Sequence, residues 1–151
     1  MSVYRPNVAM ILRDGAGRIL IAERLDVAGA WQFPQGGQKK GESAIRALER
    51  EVEEELGLLP ECYKVIEDRE GYRYKFIKGR KKEGFVGQEQ RYFLADFLGM
   101  PERIAGVIKS PEFRQIRWIV PEEFLPEWVP KFKREVYRQV FKDFFQIDWD
   151  I

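Results

Sequence analysis

The segment from Ala44 to Leu56 constrains the fold of this chain most. It has a strongly helical sequence, with apolar residues on one side of the helix and acidic residues beside them. Ser43 can cap the start of the helix, and Gly57 stands just after its end, where a left-handed residue is favoured. At about 100° per residue, one narrow stripe is apolar, and we expect it to face a hydrophobic core. The members of this stripe are Ile45, Leu48, Val52 and Leu56.

Three carboxylates lie on an arc beside that stripe. Glu51, Glu54 and Glu55 are related by three and four residues, so their side chains converge. This is unfavourable, because like charges crowd the C-terminal half of a helix, where the macrodipole disfavours anions. Arg50 is a possible counter-charge, but we expect it to point away from the arc. Mg²⁺ or Mn²⁺ fits better, since hard cations prefer several carboxylate oxygens together with water and phosphates. The alternative is a solvated acidic surface helix.

Composition removes several kinds of chemistry. The chain has no His and a single Cys, Cys62, which excludes internal disulfides, Cys-rich zinc sites and imidazole catalysis. The net charge of +1 does not call for a nucleic-acid or membrane partner. The first residues lack the blocks of a signal peptide, and no apolar run approaches the roughly 18 residues needed to span a bilayer. We therefore expect a soluble, cytoplasmic protein.

The order of segments predicts the architecture. The 151 residues contain no repeat or linker, so we expect one domain over 1–151. The turn Asp14–Gly17 joins two apolar segments into a predicted hairpin, and a final helix is predicted from about Lys131 to Phe145. Strands, helix, strands and helix in succession favour an α+β fold, a mixed sheet packed between helices. The predicted strands are Asn7–Leu12, Arg18–Arg24, Tyr63–Glu67, Tyr72–Ile77, Glu89–Phe97 and Gln115–Val120.

The segment 36–58 resembles the Nudix box, G-x5-E-x7-R-E-U-x-E-E-x-G-U, at every specified position. The matching residues are Gly36, Glu42, Arg50, Glu51, Val52, Glu54, Glu55, Gly57 and Leu58. Other segments look like the bacterial RNA pyrophosphohydrolases and the related dinucleoside polyphosphate hydrolases of the Nudix family; they include Trp31–Gly37, Gly87–Gln90, Ser110–Phe113 and Phe132–Arg138. The resemblance implies the Nudix fold, an α/β/α sandwich, and hydrolysis of nucleoside diphosphates linked to a further group.

The resemblance also implies roles for single residues. The implied ligands of Mg²⁺, with Mn²⁺ as the alternative, are Glu51, Glu54, Glu55 and Glu112, joined by a backbone carbonyl within Gln35–Gly37. Glu42 and Arg50 resemble a structural pair that braces the loop and helix, and Gly36 and Gly57 are structural positions of the same box. In the implied mechanism a metal-bound water attacks phosphorus after a carboxylate removes its proton. Glu54 and Glu112 are both candidates for that base.

Further residues resemble positions that hold the 5′ end of RNA in this family: Arg5, Arg24, Tyr74, Phe132 and Lys133. Arg and Lys suit phosphates, and an aromatic pair can sandwich an unstacked base. Core packing is the alternative for Tyr74 and Phe132.

The leading hypothesis is Mg²⁺-dependent removal of pyrophosphate from triphosphorylated RNA. Hydrolysis of diadenosine tetra- or pentaphosphate, and a catalytically silent nucleotide-binding module, are the alternatives. We expect no DNA and no membrane partner.

Overall fold

The computed structural model describes residues 3–77, 81–100, 104 and 112–150. Its strands are β1 (Tyr4–Arg13), β2 (Ile19–Arg24), β3 (Trp31–Gln32), β4 (Gln35–Gly37), β5 (Tyr63–Lys75), β6 (Gly87–Phe97) and β7 (Phe113–Ile119). Its helices are α1 (Ala44–Leu56) and α2 (Lys131–Phe145), which confirms both predicted helices. None of the helices described here combines the length and hydrophobicity needed to cross a membrane.

The local signals at the ends of α1 operate as predicted. Ser43 Oγ accepts a hydrogen bond from the Arg46 N–H, which satisfies one of the donors left over at a helix start. Gly57 adopts a φ of 70°, and its N–H donates to the Glu53 carbonyl at 2.9 Å. A glycine is favoured here because side chains with a Cβ rarely take this left-handed conformation.

One mixed sheet contains all seven strands. Its central strand, β1, runs parallel to β6 from Tyr4–Gly87 to Arg13–Asp96 and pairs antiparallel with β4 on its other edge. β5 extends the sheet beyond β6, while β2 pairs antiparallel with both β3 and β7.

The predicted hairpin is confirmed only at its base. β1 and β2 pair at Arg13–Ile19 and then diverge to different partners. The prediction of two separate strands, Tyr63–Glu67 and Tyr72–Ile77, is wrong. They merge into β5, because register shifts within it and a φ of 96° at Gly71 absorb the irregularity.

The two faces of β1 belong to two different cores. Val8, Met10 and Leu12 pack with α1, whereas Ala9 and Ile11 pack with α2. A strand covered on both faces needs apolar side chains at every position, which explains the unbroken apolar run here. The predicted α/β/α sandwich is therefore confirmed.

The apolar stripe of α1 differs from the prediction at one end. Leu48, Val52 and Leu56 are buried, but Ile45 is 40% exposed. Ile45 lies in the first turn of α1, beyond the part of the helix that covers the core. The remaining buried positions of the helix are Ala47 and Glu55, so a carboxylate is buried among apolar side chains.

Candidate active site

A salt bridge ties α1 to the loop that precedes it. Arg50 Nε and Nη2 donate to the two carboxylate oxygens of Glu42, both at 2.9 Å, and Nη2 also donates to the Gly37 carbonyl at 2.9 Å. The Lys39 N–H donates to Glu42 as well. Chiefly because of the Arg50 hydrogen bonds, the pKa of Glu42 falls to about 2. The contact expected of the bracing pair is present.

Arg50 also serves the acidic arc, so the prediction that it points away is wrong. Its Nη1 donates to Glu51 Oε1 at 2.8 Å and lies 3.7 Å from Glu54 Oε2. The long side chain and the planar fork of five donors let one guanidinium contact the loop and two helix carboxylates together. Arg50 is thus a counter-charge for Glu51 and Glu54.

Glu55 lies deepest in the arc and is only 3% exposed. Its Oε1 accepts the Gln35 N–H at 3.1 Å, whereas the buried Oε2 has no permanent donor. The neighbouring group is the Glu112 carboxyl, which shares a hydrogen bond with Glu55 only when one of the two holds a proton. Burial first, and then Glu112, raise the pKa of Glu55 to about 10. Burial also raises the pKa of Glu51, although the hydrogen bond and positive charge of Arg50 act to lower it.

These carboxylates fit a hard divalent cation. Glu51 interacts electrostatically with Glu54, Glu55 and Glu112, so all four acidic groups adjoin one region. Within the described ranges, no three of the acidic side chains are already arranged as a metal site. Arg50 is bonded to Glu51 and lies 3.7 Å from Glu54. The buried, donor-free oxygen of Glu55 is what a cation would satisfy.

Glu112, just before β7, is held through its backbone. The Leu25 N–H donates to the Glu112 carbonyl at 2.8 Å, and Arg114 donates to the Leu25 carbonyl at 3.1 Å. The buried Glu23 side chain connects the loop after β2 to β7, since it accepts hydrogen bonds from the Gly29 N–H at 2.7 Å and from Gln115 Nε2 at 2.8 Å. The sequence reading missed Glu23. A lone carboxylate at the end of an apolar strand was the available signal.

A groove leads away from Glu112. One cavity of about 500 Å³ is lined by Gln35 and Glu112, and it shares Arg24 and Lys133 with a second cavity of about 410 Å³. Tyr74 and Phe132 line the second cavity, together with Gln88, Lys81 and Lys82. The groove therefore has the Glu112 carboxylate at one end and cationic and aromatic side chains at the other, with Arg24 and Lys133 in both parts.

The predicted aromatic sandwich is not formed. The Tyr74 and Phe132 ring centroids are 5.7 Å apart with the planes tilted by 58°, so the rings contact each other and leave no slot for a base. Tyr74 is only 6% exposed and packs in the core on the α2 side. Tyr74 is thus a member of this core, and Phe132 is partly buried against the same cluster. A role of either ring in substrate binding stays a prediction.

The predicted cationic residues occupy two places. Lys133 Nζ lies 5.5 Å from the Tyr74 ring centroid and 5.7 Å from that of Phe132. Arg24 makes a bidentate contact with Asp26 at 2.6 and 2.9 Å, which orients it at the groove. Arg5 instead lies against β4, where a Cβ on Gly37 would come within 2.1 Å of its guanidinium.

Gly36→Ala is expected to lower kcat by on the order of a hundredfold, because displacement of a reacting group by about 1 Å has that effect. A Cβ at Gly36 would lie 1.9 Å from the Glu51 carboxyl carbon, so the carboxylate must move while the backbone need not. Steady-state kinetics measures the change. Gly15→Ala is the control, since no atom lies within 4 Å of its added Cβ. A Gly36→Ala enzyme with parental kcat would contradict the prediction.

Comparison with known proteins assigns the family. A family model described as the NUDIX domain matches residues 3–140. The chain belongs to the NUDIX domain family. Membership confirms the prediction of a hydrolase that acts on phosphoric anhydride bonds.

Two curated relatives of this Nudix domain are the RNA pyrophosphohydrolases of Teredinibacter turnerae and Dinoroseobacter shibae. The first is 40% identical and its alignment covers 93% of this chain and 84% of the relative. The second is 42% identical, with 97% and 93% covered.

Solved structures show the same fold. The E. coli dihydroneopterin triphosphate pyrophosphohydrolase superposes with a TM-score of 0.69 at 19% identity, covering 95% of this chain and 97% of that one. A C. elegans Ap4A hydrolase binary complex gives a TM-score of 0.61 at 17% identity, covering 93% and 99%. At these identities the likeness shows the fold alone, and it confirms the predicted Nudix architecture.

Proposed function

We propose that this Nudix domain, formed by residues 1–151 as one unit, removes pyrophosphate from the triphosphorylated 5′ ends of RNA. The observation that carries the proposal is the groove, in which Arg24 and Lys133 connect Glu112 to the cationic and aromatic end. Relatives 40–42% identical that are named RNA pyrophosphohydrolase support it.

Glu51, Glu54, Glu55 and Glu112 are the residues that would hold the metal, Mg²⁺ or alternatively Mn²⁺. When bound, such an ion neutralises charge on phosphoryl oxygens and acidifies water. Glu55 contributes a buried oxygen, while the side chains of Glu54 and Glu112 are exposed to solvent. Either of these two carboxylates would take the proton of the attacking water.

The cationic residues bind the other end of the substrate. Arg24, held by Asp26, presents its guanidinium to the groove, and Lys133 adds a second positive charge. Phe132 is partly buried, and a base would stack on the part of its ring that remains exposed. Because Tyr74 supports Phe132 from behind, we propose stacking on a single ring rather than between two.

The kcat/KM is expected to fall as pH rises through about 8, because Lys133 then loses its charge. Burial, followed by the nearby Arg24 charge, lowers the pKa of Lys133 to about 8. The free enzyme thus carries the ammonium below that pH and a neutral amine above it, and only the ammonium attracts phosphate. Lys133→Met is the matched control: its kcat/KM should be lower at pH 7 and should lack this fall. Parallel pH profiles for parent and variant would contradict the prediction.

A competition assay tests the substrate. A short triphosphorylated RNA and diadenosine tetraphosphate are supplied together with Mg²⁺, and the products and kcat/KM values are compared. Preference for RNA with release of pyrophosphate supports the proposal. Preference for the dinucleotide, yielding ATP and AMP, would replace RNA as the substrate, and turnover of neither would favour the silent nucleotide-binding module.

A further inference from the structure

We propose that Gln90 is a positioning residue that, through Gln35, holds strand β4 in place beside the carboxylates that would bind the metal. The inference rests on the metal-binding part of the proposed function. Gln90 lies on β6, which is separated from β4 by β1, and only 2% of the Gln90 residue is exposed.

The Gln90 amide uses its full donor capacity. Its Nε2 donates one hydrogen bond to Gln35 Oε1 and another to Asn7 Oδ1 at 3.0 Å, and its Oε1 accepts from the Tyr92 hydroxyl at 3.3 Å. A buried amide with all of these bonds made has one favoured orientation, because a 180° rotation would point its carbonyl oxygen at the acceptor oxygens of Gln35 and Asn7. The Gln90 side chain is thus held in one orientation, in contact with Gln35 of β4.

Gln35 transmits that fixed position to a carboxylate. Its side chain is anchored by Gln90, and its backbone N–H donates to Glu55 Oε1 at 3.1 Å. The other oxygen of Glu55 has no permanent donor, so the Gln35 N–H is the protein contact that orients this buried carboxylate. Gln90 therefore sets the direction in which Glu55 offers its free oxygen. Outer contacts of this kind typically change metal affinity by about 10- to 100-fold.

The same network continues toward the substrate groove. Asn7 Nδ2 donates to Gln88 Oε1 at 2.6 Å, and Gln88 Nε2 donates to the Tyr74 hydroxyl at 2.7 Å. Gln88 lines the groove and bonds to Asn7 and Tyr74 rather than to Gln35, although it lies on β6 only two residues before Gln90. Gln88 is therefore a matched control for Gln90. It is the same residue type on the same strand and in the same hydrogen-bond network, but it lines the proposed substrate groove.

The test compares Gln90→Leu, Gln35→Leu, the double variant and Gln88→Leu. Mn²⁺ binding without substrate is measured by isothermal titration calorimetry, and the Mg²⁺ dependence of kcat and KM by kinetics. We expect Gln90→Leu and Gln35→Leu each to weaken Mn²⁺ binding about tenfold or more, with KM for the RNA within about twofold of the parent. The double variant should bind Mn²⁺ no more weakly than the weaker single variant, since both single variants remove the same Gln35–Gln90 hydrogen bond. Gln88→Leu should raise KM and leave Mn²⁺ affinity unchanged.

Several outcomes would overturn the inference. One is a folded Gln90→Leu or Gln35→Leu protein that binds Mn²⁺ as the parent does; another is additive losses in the double variant. If Gln90→Leu does not fold, Gln35→Leu decides alone, because Gln35 is partly exposed and removes the same bond from the other side. Failure of the proposed function has a different signature: a parent protein that binds no Mn²⁺, or binds it without turning over RNA.

Discussion

Glu54→Gln is expected to lower kcat by about a hundredfold or more, the usual contribution of a proton-transferring group, and to leave the melting temperature within about 2 °C. The side chain of Glu54 is 59% exposed, and its ion pair with Arg50 spans 3.7 Å. Such a pair contributes little to folding, because solvent screens it. Gln keeps the size of the side chain but removes the negative charge that a cation or a proton requires. Kinetics with Mg²⁺ and thermal unfolding measure the two effects.

Glu53→Gln is the control for this variant. Glu53 is the preceding residue of α1, equally acidic and exposed, but outside the arc, and the Gly57 N–H contacts its backbone rather than its side chain. It should retain parental kcat and the same melting temperature. A Glu54→Gln enzyme with parental kcat would remove Glu54 from both of its proposed roles, metal ligand and base.

Glu55→Gln is expected to stabilise the metal-free protein and to remove its stabilisation by Mg²⁺. In the parent, Glu55 Oε2 is buried beside the Glu112 carboxyl without a permanent donor. A Gln amide supplies that donor to Glu112 while its oxygen still accepts the Gln35 N–H. Because burial raises the pKa of Glu55 to about 10, the folded parent must take up a proton that the unfolded chain lacks at pH 7, and the neutral Gln amide avoids that cost in stability. Thermal unfolding in EDTA should show the rise.

The Mg²⁺ arm of the same experiment tests the ligand role. A cation that binds only the folded state adds about 2.7 kcal/mol to the stability at a concentration 100 times its Kd. The parent and Glu53→Gln should therefore melt at a higher temperature with Mg²⁺ than in EDTA. Glu55→Gln should show no such increase. An unchanged response to Mg²⁺, or lower stability in EDTA than the parent, would contradict the assignment of Glu55.

The sequence errors share a cause. Helical geometry placed Glu51, Glu54 and Glu55 on one arc, but the same geometry directed Arg50 away from them. The guanidinium reaches the arc because Glu42 and the Gly37 carbonyl hold it from the loop. Likewise, spacing along β5 and α2 said nothing about the 5.7 Å contact that closes the slot between Tyr74 and Phe132.

The sequence by itself determined the limits of α1 and α2, the apolar strand within β1 and the residues of the Nudix box. These follow from caps, periodicity and spacing, which act over a few neighbouring residues. Only the tertiary structure decided which carboxylate is buried, how Arg50 is shared and that Gln90 supports Gln35, a residue 55 positions away. Such contacts depend on how strands and helices pack together, because side-chain burial and hydrogen-bond partners are set by distant parts of the chain.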